Sequence, residues 1–172
     1  MNDRWGLGTA CNHGGFLTCS DRYNPGHLMN KKWENAMTID QGTWGYSRVS
    51  DFTDYLTIRD LLLQLSSTVA YGGNLLINVG PTHDGRIVPL MEERLTQMGE
   101  WLDVNGVSIY STQPWSKAQN DSITANVYYT QSVKTLNVYA TFFDWPLDHV
   151  IFLFYHLDHF LMTFCLLYES RY

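Results

Sequence analysis

Asp3, Asp21 and Glu34 are three carboxylates that fall inside a single stretch, residues 1–35, rich in Gly, Asn, Asp and His, with Arg4 and His13 among them. Two carboxyl groups held about 5–5.5 Å apart across a sugar-sized cleft can act as nucleophile and acid/base. A guanidinium such as that of Arg4 adds a rigid fork of donors suited to hydroxyls or to a carboxylate, and it could equally form an ion pair with Asp3 or Asp21. Glu34 has a structural alternative as well, as partner of Lys31, Lys32 or Arg48. A second titratable group, Asp148, His149, His156, Asp158 and His159, invites a metal reading. It lies in an apolar context without a supporting motif, so no metal is expected. Gly72, Gly73 and Gly80 lack the spacing of a nucleotide-binding loop and are better explained by close backbone packing around a strand. Cys11 and Cys19 could pair, while Cys165 leaves the cysteine count odd. Asn120-Asp121-Ser122 is an acceptor triplet for N-glycosylation, which matters only in a secreted chain.

The elements that must position these groups are legible from periodicity. Residues 1–35 carry no sustained period and read as a strand end followed by a long loop, the kind of segment that usually carries function. Residues 36–46 suggest a short strand broken by the turn-like Asp40-Gln41-Gly42. From Asp51 to Ala70, apolar residues Tyr55, Ile58, Leu61, Leu62 and Leu65 recur at three- and four-residue spacing, which predicts an amphipathic helix capped by Asp51 or Thr53 and closed at Gly72-Gly73. Residues 74–79 form a short apolar run bounded by glycines, the pattern of a parallel strand buried on both faces. Thr82-His83-Asp84-Gly85 reads as a turn, and Pro89 sits in the first turn of a second helix that stops at Asn105-Gly106. Helix, strand and helix in that order are the repeating unit of an α/β protein. Beyond Pro114 the pattern alternates, predicting two antiparallel strands over residues 122–130 and 134–143 with a turn near Gln131-Ser132.

Composition narrows the function classes. At 172 residues the chain is long enough for one ordinary domain and short for a complete (β/α)8 barrel of about 250. A net charge of −6 argues against nucleic-acid binding, which needs a basic face. Aromatics at 15% suit either a carbohydrate site or an aromatic-rich core. Residues 147–168 are dense in Phe, Leu and Ile, yet Asp and His interrupt them before they reach the length of a membrane span. The amino terminus shows no basic segment followed by an apolar run, so no signal peptide is visible.

Four stretches together resemble the α-L-fucosidases of glycoside hydrolase family 29, and are similar to the animal tissue-type enzymes. They are Asn2-Asp3-Arg4-Trp5-Gly6, Lys32-Trp33-Glu34, Ser67-Thr68-Val69 with Gly72 through Pro81, and Gly99-Glu100-Trp101-Leu102 with Asn105-Gly106. Asp84-Gly85 and Ile109-Tyr110 fit the same order, and the likeness covers roughly residues 1–146. The resemblance implies an α/β fold: residues 1–113 as the carboxy-terminal portion of a (β/α)8-like barrel, residues 114–146 as the first strands of an antiparallel β-sandwich, and residues 147–172 as a divergent hydrophobic tail.

It further implies retaining cleavage of terminal α-L-fucose from a fucosylated glycan or glycoprotein, with no cofactor, no metal, no nucleic-acid partner and no membrane span. A lysosomal or secreted location follows from the family, and the resemblance leaves an oligomer possible for a full-length member. Within the variable loop, Asp21 is the position that fits the family's acid/base, with Glu34 as the alternative. Arg4 matches a fucose-contacting arginine, and Trp44 an aromatic that packs against the fucose methyl group; as a core tryptophan it would be equally ordinary. His13 is read as loop scaffolding. The family's nucleophile is an Asp in a Trp-Ser-Asp or Trp-Asn-Asp segment several tens of residues before the Asn-Asp-Arg-Trp stretch. No later Asp matches it, so the chain is expected to lack the covalent half of the mechanism. A non-catalytic fucose-binding or interaction protein is the alternative.

Overall fold

The computed structural model describes residues 1–144 and the strand 162–166. Strand β1 (Trp33–Thr38), helix α1 (Ile58–Ala70) and strand β2 (Gly73–Asn78) form one right-sized α/β crossover, and β2 lies parallel to β1 in the register Trp33↔Gly73 through Thr38↔Asn78. Helix α2 (Pro89–Asn105) follows, with Pro89 at its first turn. The parallel arrangement, α1, β2 and α2 agree with the sequence pattern. Only two strands make up this parallel sheet among the described residues, so they form a portion of an α/β fold and not a closed barrel.

Leu61, Leu62 and Leu65 of α1 meet Met91, Met98 and Trp101 of α2, and Met37 and Ile39 join from β1 and its exit. Burying side chains of this size contributes about 1.5–3 kcal/mol each, which is why the crossover holds its shape. Phe143, from the end of the second sheet, enters the same cluster and ties the two sheets together.

In this half of the chain three expectations shift in detail. The predicted helix over residues 51–70 splits: Asp51 caps a single 3-10 turn (Phe52–Asp54), and α1 begins at Ile58 under a separate capping box of Thr57 and Asp60. The break arises because the Leu56 amide donates to the Ile39 carbonyl, which draws Tyr55 and Leu56 into extended backbone beside the exit of β1. The strand expected over residues 36–46 begins earlier and ends at Thr38, since Leu17 pairs with residues 32 and 34 on one side while β2 pairs on the other. Strand β2 buries one face only: Leu75 and Ile77 pack toward the helices, whereas Leu76 is 43% exposed. Gly73 sits against the face of Trp33, where an added Cβ would fall 2.6 Å from the indole ring.

The second sheet comprises β3 (Thr112–Pro114), β4 (Val127–Ser132), β5 (Val138–Phe142) and β6 (Met162–Leu166) in that spatial order. The pair β4–β5 is antiparallel as the alternation predicts; β3, which the sequence pattern did not indicate, adds a further antiparallel pair with β4, and β6 runs parallel to β5. The β4–β5 connection spans residues 133–137, later than the expected turn at Gln131-Ser132, because Gln131 still pairs with Val138 and the Asn137 carbonyl accepts from the Ser132 amide. β4 also starts later than expected, since the Asp121 carboxylate caps the amides of Ile123 and Thr124 in a turn. Trp115, Val127, Tyr129, Val138, Ala140 and Phe142 fill this sheet's own core. No helix among the described residues is long and apolar enough to cross a membrane. The tail residues Asp148, His149, His156, Asp158 and His159 lie outside the described residues.

Candidate functional site

Parallel strands collect functional side chains at their carboxy-terminal ends, because the connecting loops there are free to vary while the strands fix where they start. In this chain those ends are Thr38 and Asn78, paired in register. The loop leaving β1 turns sharply at Asp40, whose Oδ1 accepts from the amides of Gly42 and Thr43 at 2.8 and 3.1 Å and whose Oδ2 accepts from the Ser50 hydroxyl at 2.8 Å. That turn presents Trp44, which is 37% exposed. Asn78 binds the same loop from the end of β2: its Nδ2 donates to the Trp44 carbonyl at 2.7 Å and to the Thr38 hydroxyl at 3.1 Å. Gly80 completes the junction, since a Cβ there would meet the Tyr46 amide nitrogen at 2.6 Å. Burial first, and then the charge of Asp40, push the nearby Tyr55 hydroxyl up.

A second loop reaches this rim from the amino-terminal side. Leu17 pairs in parallel with Trp33, and the Arg22 amide donates to the Ala36 carbonyl, so residues 17–22 run along the open edge of β1. The Arg22 guanidinium then donates to the carbonyls of Asp40 and Gln41 at 3.0 and 2.8 Å, fastening this loop to the one that carries Trp44. Asp21 therefore lies one residue from the point where the two loops are tied. Its carboxylate meets Arg4 Nη1 at 2.6 Å, with both side chains partly open to solvent at 54% and 36% exposure. Of the two ion pairs open to Arg4, the structure forms the one with Asp21.

Asp3 is the residue whose role sequence reasoning missed. Offered there as a substitute reacting carboxylate or an ion-pair partner of Arg4, it is fully buried, and each oxygen is saturated. Oδ1 accepts from the Thr18 amide and hydroxyl, both at 2.7 Å; Oδ2 accepts from the amides of Cys11 and Cys19 at 2.6 and 3.0 Å. Burial pushes this carboxyl up, but the Thr18 hydroxyl and the three amides more than offset that and hold it far below the usual carboxylate range. At neutral pH it is therefore a carboxylate with no proton to donate. Cys11 and Cys19 are joined in a disulfide, as their proximity in sequence allowed. The oxidised pair has no thiolates, so the nearness of Asp3, Cys11 and Cys19 is a structural knot and not a metal centre.

The remaining candidates stand apart. Glu34 is on β1 at the opposite end from Thr38, and its Oε2 accepts from Asn74 Nδ2 at 2.8 Å. Four steps along the strand separate it from Thr38, roughly 13 Å at the usual rise. Asn120 is exposed on the second sheet's approach, its amide nitrogen donating to the Asp121 carbonyl at 3.2 Å. The Asp40-Gln41-Gly42 turn was visible in the sequence. The contribution of Asn78 was not, since an Asn inside an apolar strand gives no sign of what it binds.

Comparison with known proteins gives this geometry its context. The family model described as alpha-L-fucosidase matches residues 1–107, and that of the alpha-L-fucosidase C-terminal domain matches residues 119–160, so the likeness extends past Pro146. The human plasma alpha-L-fucosidase is 58% identical over 88% of this chain, and the human tissue alpha-L-fucosidase 42% identical over 88%. The chain spans 32% of the length of each. Among solved structures, the Thermotoga maritima alpha-fucosidase in complex with a mechanism-based inhibitor superimposes with a TM-score of 0.62 at 36% identity, covering 77% of this chain and 29% of that one. The same enzyme in complex with fucose gives 0.60 at 34% identity, over 77% and 29%.

Proposed function

The chain belongs to the α-L-fucosidase family, and on that premise we propose that it contributes the acid/base side and part of the sugar-binding wall of a retaining α-L-fucosidase acting on terminal fucose of glycoproteins or glycans. The observation that carries this reading is the Arg4–Asp21 ion pair, tied by Arg22 to the loop that presents Trp44. In this reading Asp21 protonates the departing glycosidic oxygen, then takes a proton from water in the second half-reaction. Arg4 has five N–H donors, enough to hold Asp21 and a fucose hydroxyl together. Trp44 offers an aromatic wall to the sugar's methyl group. Glu34 remains the alternative acid/base; its place at the far end of β1 and its bond to Asn74 favour Asp21.

Residues 1–113 would be a portion of a (β/α)8-like barrel and residues 114–146 the opening strands of a β-sandwich; a divergent tail, expected from residue 147, would begin only after residue 160, where the match to the C-terminal-domain family ends. The parallel β1–α1–β2 crossover supports the first of these assignments. The names of the plasma and tissue relatives support a secreted or lysosomal location, in which Asn120, exposed, would serve as a glycan acceptor. No Asp after Arg4 matches the family's nucleophile segment, so fucose binding without hydrolysis is the expected behaviour of these 172 residues alone.

The test is titration of L-fucose into the chain, beside hydrolysis of a chromogenic aryl α-L-fucoside. Binding that Arg4→Ala and Trp44→Ala each weaken, with no aryl alcohol released, is expected. Release that Asp21→Asn abolishes would show a substitute nucleophile within these residues. Absence of binding by the folded chain would sink the proposal.

A further inference from the structure

The disulfide loop and the proposed acid/base pair are one connected unit. Asp3 is followed immediately by Arg4, and Cys19 precedes Asp21 by two residues. The carboxylate of Asp3 grips the amides of Cys11, Thr18 and Cys19, so one buried anion fixes both ends of the disulfide and the backbone leading to Asp21. The chain is wound tightly around it: the Thr9 hydroxyl donates to the Asp3 carbonyl at 2.8 Å, the Gly15 amide donates to the Met1 carbonyl at 2.8 Å, and a Cβ at Gly14 would fall 2.6 Å from the Asn2 carbonyl oxygen. Arg4 and Asp21, both open to solvent, have no comparable packing of their own.

We propose that Asp3 and the Cys11–Cys19 disulfide form a clamp that positions Arg4 against Asp21, making Asp3 a positioning residue for the acid/base. This rests on the reading of Asp21 and Arg4 as site residues, while the clamp itself can be measured without sugar. An exposed ion pair is worth little alone, because two long side chains lose entropy to hold one geometry. Here the clamp orders both backbones in advance, so the pair forms at smaller entropic cost. The direction of dependence is therefore fixed: loosening the clamp frees the pair, but breaking the pair leaves the clamp intact.

The experiment uses the full chain with Asp3→Asn, the double variant Cys11→Ser/Cys19→Ser, and Asp21→Asn as the reverse control. Far-UV circular dichroism checks that each variant keeps the fold, and the double variant covers the case in which Asp3→Asn does not. NMR then reads amide exchange at Cys11, Thr18 and Cys19, the rotation rate of the Arg4 guanidinium, and the affinity for L-fucose. The clamp variants are expected to speed Arg4 rotation and to weaken L-fucose binding by roughly tenfold, as loss of an outer positioning group does elsewhere. Asp21→Asn is expected to free Arg4 while leaving the three amides protected. Arg4 rotation unchanged in both clamp variants, or amides that open as far in Asp21→Asn as in Asp3→Asn, would overturn the inference. An intact chain that shows this one-way dependence yet binds no fucose would support the clamp and count against the fucosidase reading.

Discussion

Residues 1–32 and the α1–β2–α2 unit achieve order by different physics. The helical unit buries Leu61, Leu62, Leu65, Met91, Met98 and Trp101 in one apolar cluster, with α1 started by the Thr57–Asp60 capping box and α2 by Pro89. The amino-terminal loop inserts only Leu17, and through Cys19, Tyr23 and Met29 a few flanking contacts, into a small cluster with Trp33 and Tyr71. It relies instead on a saturated buried carboxylate and a disulfide. Apolar burial is non-directional and gives a rigid body, whereas hydrogen bonds to a buried anion are directional and fix individual atoms. A scaffold needs the first, and side chains that must meet a sugar in one orientation need the second.

The strongest way to break this contrast is a cavity in the scaffold. Leu62→Ala should cost about 2–5 kcal/mol of global stability, read from urea unfolding, because Leu62 is fully buried among both helices. The amides held by Asp3 should then lose protection only through global unfolding. If they open before the helices do, the two regions are less coupled than the shared edge of β1 indicates.

Acid should separate the regions in the opposite sense. The Asp3 carboxyl is held below its unfolded value, so the unfolded chain binds the extra proton, and the stability Asp3 contributes is fully present above about pH 4. It drains as pH falls below that, at no more than ~1.4 kcal/mol per pH unit for one group. Asp51 and Asp144 are depressed too, the former chiefly by the Thr53 hydroxyl and the latter chiefly by Asn126, and act in the same direction. Comparing intact chain with Asp3→Asn isolates the loop: the protection of the Cys11, Thr18 and Cys19 amides, relative to their intrinsic exchange rates, should fall with acid in the former and be low at every pH in the latter. Equal pH dependence in both would remove Asp3 from its role.

The smallest effect is expected where an exposed charge links α1 to the second sheet. Arg59 meets Asp144 at 2.5 Å, but both are partly exposed, at 41% and 56%. Arg59→Ala should change unfolding free energy by less than ~1 kcal/mol, and less again in high salt. A larger loss would mean that the two sheets depend on this bridge and not on Phe143, which joins the main core.

What the sequence by itself determined was local or repeated. Helices α1 and α2 are legible because large apolar residues recur at helical spacing, with glycines closing α1 and Pro89 opening α2, and β2 because an apolar run is fenced by glycines. The family was legible because several motifs stand in a fixed order, each short but jointly specific. Tertiary structure decided where the extended neighbour of α1 splits it from the Asp51 cap, where β1 begins, and which face of β2 is covered, since each depends on a chain segment far away in sequence. It also decided what Asp3 does. The carboxylate is bound by Thr18, 15 residues on, and by two cysteine amides whose positions follow no period. A contact of that kind leaves no mark on local propensity, so Asp3 and Asp21 look alike as letters, and only folding buries one as an anchor and leaves the other facing Arg4.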